Sequence, residues 1–231
     1  NRIDAIEAFA ADVSHELKQP RKSPRSAVET LAMLKTDEQR ARLGEIVKHD
    51  VRRLDRLISD ISDASRLDAE LARAEANPVD VARLLGAITS FANETRKDNQ
   101  AEIDLHVTPV SKDIDPIRAF VVLGHDSRLN QVFRNLIDNA RSFTAENTKV
   151  IVRVRRLGGD IEVRVEDQGP GIRPDNLERV FERFYTDRPE GSFGKNSGLG
   201  LSISKQIIDA HKGRIWAENR MGKVISDGER Q

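Results

Sequence analysis

Four short stretches hold residues whose types and spacing can do chemistry. The first is Asp167-Gln168-Gly169-Pro170-Gly171. A carboxylate followed by glycines around a proline reads as a turn where backbone can lie against a flat or charged ligand, because glycine carries no Cβ. Asp167 can accept hydrogen bonds there from an amine, which suits the exocyclic amine of adenine. The plainer reading is a strand that ends in a turn. In the second stretch, Asn135 and Asn139 lie four apart and share one face of a helix. Asparagine is a poor interior helix residue, so a pair at one-turn spacing needs a reason. Their amide oxygens suit Mg²⁺, which takes oxygen ligands and keeps several waters. The third, Gly198-Leu199-Gly200, opens a helix whose first free amides can receive phosphate oxygens. The fourth is His15, followed by Glu16 within a helical pattern. A solvent-facing neutral imidazole is a competent nucleophile, and Glu16 can orient its ring or act as base. Taken alone, a helical His-Glu pair is ordinary surface.

These residues need elements to hold them. From Ile3 to about Leu34, and again from Leu43 to Leu71, apolar residues recur at spacings of three and four around a polar break at Lys35 to Glu38. That pattern predicts a helical hairpin, and two paired hairpins forming a four-helix bundle would cover both apolar stripes. Asn77-Pro78 marks a domain boundary, so residues 1–76 are read as the hairpin and 77–231 as a second domain. In the second domain, a helix is expected over Val79 to Asn99 after a short extended start, with strands at Ala101 to Val107 and Phe120 to Leu123. The asparagine helix follows, with Leu129, Val132, Phe133, Leu136 and Ile137 on its apolar face. Lys149 to Arg156 and Asp160 to Glu166 pair around Gly158-Gly159. Pro174 to Phe181 reads as a short helix, Thr186 to Ser197 as a loop, Leu199 to Ala210 as a helix and Arg214 to Glu218 as a strand. The order suggests an antiparallel or mixed sheet layered on helices, an α+β fold.

Composition narrows the function. The 231 residues carry a formal net charge of zero, with 33% charged, and no cysteine. Neutral balance argues against nucleic acid or a membrane surface as partner. No run reaches the roughly 18 to 20 apolar residues of a membrane span. Beginning at Asn1, the chain is expected to be a piece of a longer protein, tied to a membrane only through segments outside it. His211 falls at a helix C-terminus, where the dipole favours a cation. His49, His106 and His125 have no ligand-like spacing, and Trp216 reads as core or sheet surface.

The order of the motifs resembles the N, G1, F and G2 boxes of the sensor histidine kinases. The residues are Asn135-Leu136-Ile137-Asp138-Asn139-Ala140, then Asp167-Gln168-Gly169-Pro170-Gly171, then Phe181-Glu182-Arg183-Phe184-Tyr185, then Gly198-Leu199-Gly200-Leu201. Phe9 to Pro20, around His15, resembles the H box. The run Phe181 to Gly191 is further similar to the ChvG-like envelope sensors of alphaproteobacteria. The resemblance implies a dimeric helical hairpin followed by a GHKL ATP-binding sandwich with a flexible lid. It also implies autophosphorylation of His15 from ATP with Mg²⁺, then transfer to an aspartate of a response regulator. Asn139 and Asn135 would handle Mg²⁺ and phosphates, and Asp167 would read adenine. Gly169 and Gly171 would admit the base, and Gly198, Leu199 and Gly200 would give amides to phosphates. Tyr185 and Arg188 complete the cofactor-binding set. The expected setting is the cytoplasmic portion of an inner-membrane sensor.

The chain departs from the family in four places. Gln19 stands where Asn or Thr is usual, which puts phosphatase activity in question. Arg21-Lys22-Ser23-Pro24 replaces apolar and small residues, and a proline inside a helix costs roughly 3 kcal/mol. The bundle should bend or weaken there. Arg141-Ser142 follows Ala140 where the family has a phosphate-contacting lysine; Arg141, Arg188 and Lys195 are the candidates to replace it. The last residues include Lys223-Val224-Ile225-Ser226-Asp227-Gly228 in place of the alternating apolar run of the family, so the usual final strand is expected to be truncated or replaced. Two other readings stand beside the kinase: a catalytically impaired nucleotide-binding scaffold, and another GHKL ATPase that hydrolyses ATP with water.

Overall fold

The computed structural model describes residues 36–37, 40–41, 43–45, 47–48, 51, 55, 58, 62, 75–145, 148–185 and 198–220. The expectations for His15, Glu16 and the Gln19 to Pro24 segment lie outside the described residues, as do those for Arg188, Lys195 and the last residues from 221. The chain divides into two compact units, 1–68 with 182–200 and 69–181 with 201–231.

In the first unit, the residues described from Asp37 to Ser62 are helical. Leu43 and Val47 are half-buried, whereas Val51 and Ile58, seven apart, are 45% and 54% exposed. The expected heptad stripe is therefore helical and open to solvent within a single chain at those two positions.

In the second unit, β1 (Asn77–Asp80) leads straight into α1 (Val81–Glu94). Asp80 caps this helix, its carboxylate accepting from the Arg83 N–H at 3.0 Å. Val81, Leu85 and Ile88 turn one apolar face inward. The sequence pattern ran the helix on to Asn99, but it stops five residues earlier. Thr95 donates both its N–H and its hydroxyl to Phe91 O, and Asn93 is drawn into the next strand. Its amide accepts from the Ile103 N–H at 3.0 Å and donates to Ile103 O at 2.9 Å.

β2 (Glu102–Val107) and β3 (Val121–Gly124) precede α2 (Asp126–Phe143), β4 (Lys149–Leu157) and β5 (Asp160–Glu166). β1 and β3 form an antiparallel pair, while β2-β4-β5 is a mixed sheet, parallel between β2 and β4 and antiparallel between β4 and β5. The β4–β5 hairpin turns at Gly158, whose φ of +61° suits glycine. Val150, Val152 and Val154 alternate along β4 and are fully buried, together with Leu85 of α1 and Val132 and Ile137 of α2. The sheet thus presents one apolar face to the helices, while ion pairs such as Arg153–Glu166 and Lys149–Asp104 decorate exposed positions. Glu162 accepts from both Arg155 and Arg164, which hold its carboxyl below the usual range. The mixed sheet and its helix layer are the α+β architecture expected.

Two elements differ from expectation. Pro174 to Phe181 is not one helix but two single 3₁₀ turns, Pro174–Asn176 and Arg179–Phe181. Arg214 to Glu218 is not a strand. Its exposure still alternates, with Ile215 and Ala217 half-buried and Trp216 54% exposed, so Trp216 is not core. The segment is held instead by side chains: Asn219 accepts from the Ile172 N–H at 2.8 Å and donates to Ile172 O at 2.6 Å, and Glu218 pairs with Arg164. A side-chain link of this kind fastens one residue, whereas a ladder needs repeated backbone pairing. The last helix, α3 (Gly200–Ala210), buries Ser202, Ile203, Ser204 and Ile207.

Candidate functional site

The site in the second unit is built on α2, an amphipathic helix of 18 residues. Leu129, Val132, Phe133, Ile137 and Ala140 are buried and Leu136 is half-buried, which fixes the rotation of the helix about its axis. Asn135 and Asn139 then fall together on a neighbouring, half-buried flank. The Asn135 amide reaches Ser204 of α3 at 3.5 Å, a long contact. Ser142 follows three residues after Asn139 on the same flank, and its hydroxyl donates to Asn139 O at 2.6 Å.

At the C-terminal end of α2 the helix meets the turn after β5. Asp167 is half-buried, and its Oδ1 accepts from the Gly169 N–H at 2.7 Å. This Asx-type turn fixes the carboxylate over its own loop. Gly169 is buried, and a Cβ there would lie 2.8 Å from Asp167 Oδ1 and 3.0 Å from Phe143 Cβ. Gly171 adopts φ +84°, a left-handed conformation that excludes most side chains. The two glycines are thus required for different reasons, one by contact and one by dihedral. The structure brings this turn, at Gly169, against the C-terminal end of the helix that carries Asn135 and Asn139, with Phe143 as the joint.

In the first unit, Gly198 has φ +73° and lies on the backbone of Phe184, itself at φ +60°. A Cβ on Gly198 would come within 2.8 Å of Phe184 Cα, and the Phe184 N–H donates to Gly198 O at 3.0 Å. Tyr185 follows, half-buried, and Leu199 is fully buried just before α3 begins at Gly200. The F and G2 stretches are therefore locked to each other through main chain.

Of the candidates for the substitute phosphate cation, Arg141 is engaged elsewhere in this structure. The helical period turns it away from the asparagine flank, toward α1, where Nε donates to Ala101 O and Nη1 to Ala92 O, both at 3.0 Å. It thereby caps the Ala92 carbonyl, which the end of α1 leaves open, and ties it to the Ala101 carbonyl just before β2. Its Nη2 is buried without an acceptor among the described residues. Burial lowers its pKa from the usual guanidinium value, with Asp138 opposing and Arg96 adding to the effect. Asp138 lines the same groove, about 250 Å³ between α1 and α2, with Phe91 and Arg134. Desolvation there raises its carboxyl pKa, outweighing the pull of Arg134 and Arg141, although the residue keeps considerable exposure.

Pattern reasoning missed Phe143 and Ser204 as neighbours of the candidate site. Phe143 and Ser204 carry a faint signal: one closes the asparagine helix, and the other is polar within an apolar stripe. Phe184 was named within its motif, but its main-chain contact with Gly198 was not legible there. Neutral amide oxygens at Asn135 and Asn139 fit a Mg²⁺ ion that arrives with nucleotide and keeps its waters. Among the described residues, no group of His, Asp and Glu side chains could hold a metal by itself.

Comparison with known proteins gives the family. Residues 124–226 match the model of the histidine kinase-, DNA gyrase B- and HSP90-like ATPases, and residues 5–70 match the His kinase A phospho-acceptor domain. The sensor protein ChvG of Rhizobium meliloti (strain 1021) is 54% identical over 225 residues, which cover 96% of this chain and 39% of ChvG. The chain thus spans well under half the length of that relative. Among solved structures, the catalytic domain of the histidine kinase ThkA is 32% identical with a TM-score of 0.51, covering 64% of this chain and 89% of that one. A longer ThkA chain, solved in complex with the response regulator TrrA, is 25% identical with a TM-score of 0.70, covering 95% of this chain and 60% of that one. With the phospho-acceptor and ATPase models matched in order on one chain, this protein belongs to the sensor histidine kinases.

Proposed function

We propose that the chain is the kinase core of a two-component sensor. It autophosphorylates His15 from ATP and passes the phosphoryl group to an aspartate of a response-regulator receiver domain. Residues 1–76 act as the dimerisation and phosphotransfer hairpin, and residues 77–231 as the catalytic domain. One observation carries the reading: the Asp167 carboxylate is set by the Gly169 N–H in a turn packed against the end of the Asn135–Asn139 helix. That arrangement offers a fixed acceptor for an exocyclic amine beside a flank of neutral amide oxygens.

The roles follow from the chemistry. Asp167 accepts from the adenine amine, and Gly169 and Gly171 let the base approach the main chain. Asn139 and Asn135 orient the phosphates and their Mg²⁺, which supplies charge neutralisation when bound. Gly198, Leu199 and Gly200 offer amides at the start of α3, and Tyr185 and Arg188 border the nucleotide. A His15 ring nitrogen forms the new N–P bond as the bond between the γ-phosphorus and the bridging oxygen of ADP breaks. The ring proton passes to Glu16. Such a loose transition state asks mainly for positioning and charge. A homodimer is supported by Val51 and Ile58, whose exposed heptad spacing fits a second copy of the hairpin. We place the chain on the cytoplasmic side of a membrane sensor, on its likeness to the sensor protein ChvG.

The test is incubation with radiolabelled ATP and Mg²⁺, beside His15→Ala. Acid-labile, alkali-stable label that His15→Ala lacks is expected. Nucleotide binding without label would leave the scaffold reading, which the unusual Arg21 to Pro24 segment favours.

A further inference from the structure

His211 does more than end α3. It is the last residue before the turn, its N–H donating to Ile207 O at 3.1 Å. Lys212 at φ +58° and the bonds Gly213 N–H to Ile208 O and Lys212 N–H to Asp209 O, both 2.9 Å, close a Schellman turn. The imidazole then bridges two helices. Nδ1 lies 2.7 Å from Ile207 O, and Nε2 lies 3.0 Å from the backbone nitrogen of His125. A carbonyl only accepts and an amide only donates, so the proton sits on Nδ1 and the lone pair on Nε2. The geometry uses the ring as an acceptor, where position at a helix C-terminus alone suggested a cation.

The N–H of the residue that caps α2 is a group that helix geometry leaves open, while Ile207 O already accepts the His211 N–H and offers its second lone pair to the ring. His125 has no side-chain cap bond of its own, and its ring stands edge-on to His211 at 5.3 Å. Gly124 makes the approach feasible, because a Cβ there would meet His211 Cδ2 at 2.7 Å.

The geometry points to His211 as a positioning residue of the nucleotide site. Its imidazole sets the register of α3 on α2, and with it the pairing of Ser204 with Asn135 on the asparagine flank. His211 touches no substrate in this role, and the role rests on the nucleotide reading above.

The experiment uses the whole 231-residue chain, with His211→Phe and His211→Gln. Phenylalanine keeps a ring and removes both hydrogen bonds; glutamine retains one acceptor and one donor at similar reach. Affinity is read with a fluorescent adenine nucleotide and Mg²⁺, folding by thermal melting, and the tautomer by ¹⁵N ring shifts. We expect an Nδ1–H ring in the wild-type chain. We also expect Kd to rise about tenfold in His211→Phe, the loss of one to two hydrogen bonds, and to return to within about twofold of wild type in His211→Gln. An Nε2–H or charged ring at neutral pH overturns the role. So does a folded His211→Phe with wild-type Kd, or a folded His211→Gln no better than phenylalanine. If His211→Phe does not fold, the tautomer and the glutamine variant decide. No binding by the wild-type chain would overturn the nucleotide reading itself; binding that His211→Phe leaves unchanged overturns only the positioning.

Discussion

Gly169→Ala tests the reasoning at the adenine end of the site. The new Cβ would stand 2.8 Å from Asp167 Oδ1, 3.0 Å from Phe143 Cβ and 3.1 Å from Phe143 O. Ordinary contact for such an atom begins near 3.4 Å, so something must move by several tenths of an ångström. The Phe143 carbonyl belongs to the last residue of α2 and cannot yield without the helix end. The Asp167 carboxylate can swing away, but only by leaving its 2.7 Å bond to the Gly169 N–H. Overpacking typically costs about 1–3 kcal/mol, and a hydrogen bond to a charged group contributes about 1.5–3 kcal/mol. The two overlap here, because swinging relieves the clash, so the expected total is about 2–4 kcal/mol. At about 1.4 kcal/mol per tenfold, that weakens nucleotide binding about 30- to 1,000-fold if it falls wholly on the bound state. Titration with a fluorescent adenine nucleotide reads that share, and thermal melting reads the share that falls on folding. A Gly169→Ala chain with wild-type Kd and wild-type Tm would refute the account of this turn.

Two further outcomes separate structural from nucleotide roles. Arg141→Met removes the bonds to Ala92 O and Ala101 O, so Tm should fall by the equivalent of about 1–3 kcal/mol with nucleotide Kd unchanged; a selective loss of affinity would return Arg141 to the phosphates. Asp138→Asn should raise Tm at pH 7 by about 1–3 °C. The sign follows from burial: the Asp138 pKa is raised, so its favourable contribution to folding is present below the unfolded carboxyl pKa and is lost as pH rises through the folded value. Its charged form therefore costs stability at neutral pH, and the advantage of asparagine should vanish in acid. Melts that show the advantage growing toward low pH would contradict this.

Much of the fold was legible because it follows from local rules. The β4–β5 hairpin announced itself by alternation around two glycines, and α2 by its apolar period. Errors fell where tertiary partners overrule a local pattern. Helical periodicity carried α1 to Asn99, but Asn93 ends it by bonding to Ile103, ten residues away. The alternation at Arg214 to Glu218 looked like a strand, yet alternation shows only that one side is covered. Proline at the start of Pro174 to Phe181 suits an α-helix and a 3₁₀ turn equally well.

The sequence by itself determined which residues stand together as candidates for the chemistry. Asn135 and Asn139 share a face because four residues make about one helical turn, and Asp167 precedes two glycines because the turn requires them. Tertiary structure alone decided what those residues lean on. Arg141 follows Ala140 and is one of three candidates for a phosphate cation, yet rotation of the helix sends it to two carbonyls near α1. His211 reads as a cation at a helix end, yet an amide 86 residues away makes its ring an acceptor. Periodicity says which residues share a face, but the protonation and partners of a side chain depend on groups that only the folded chain brings within about 3 Å.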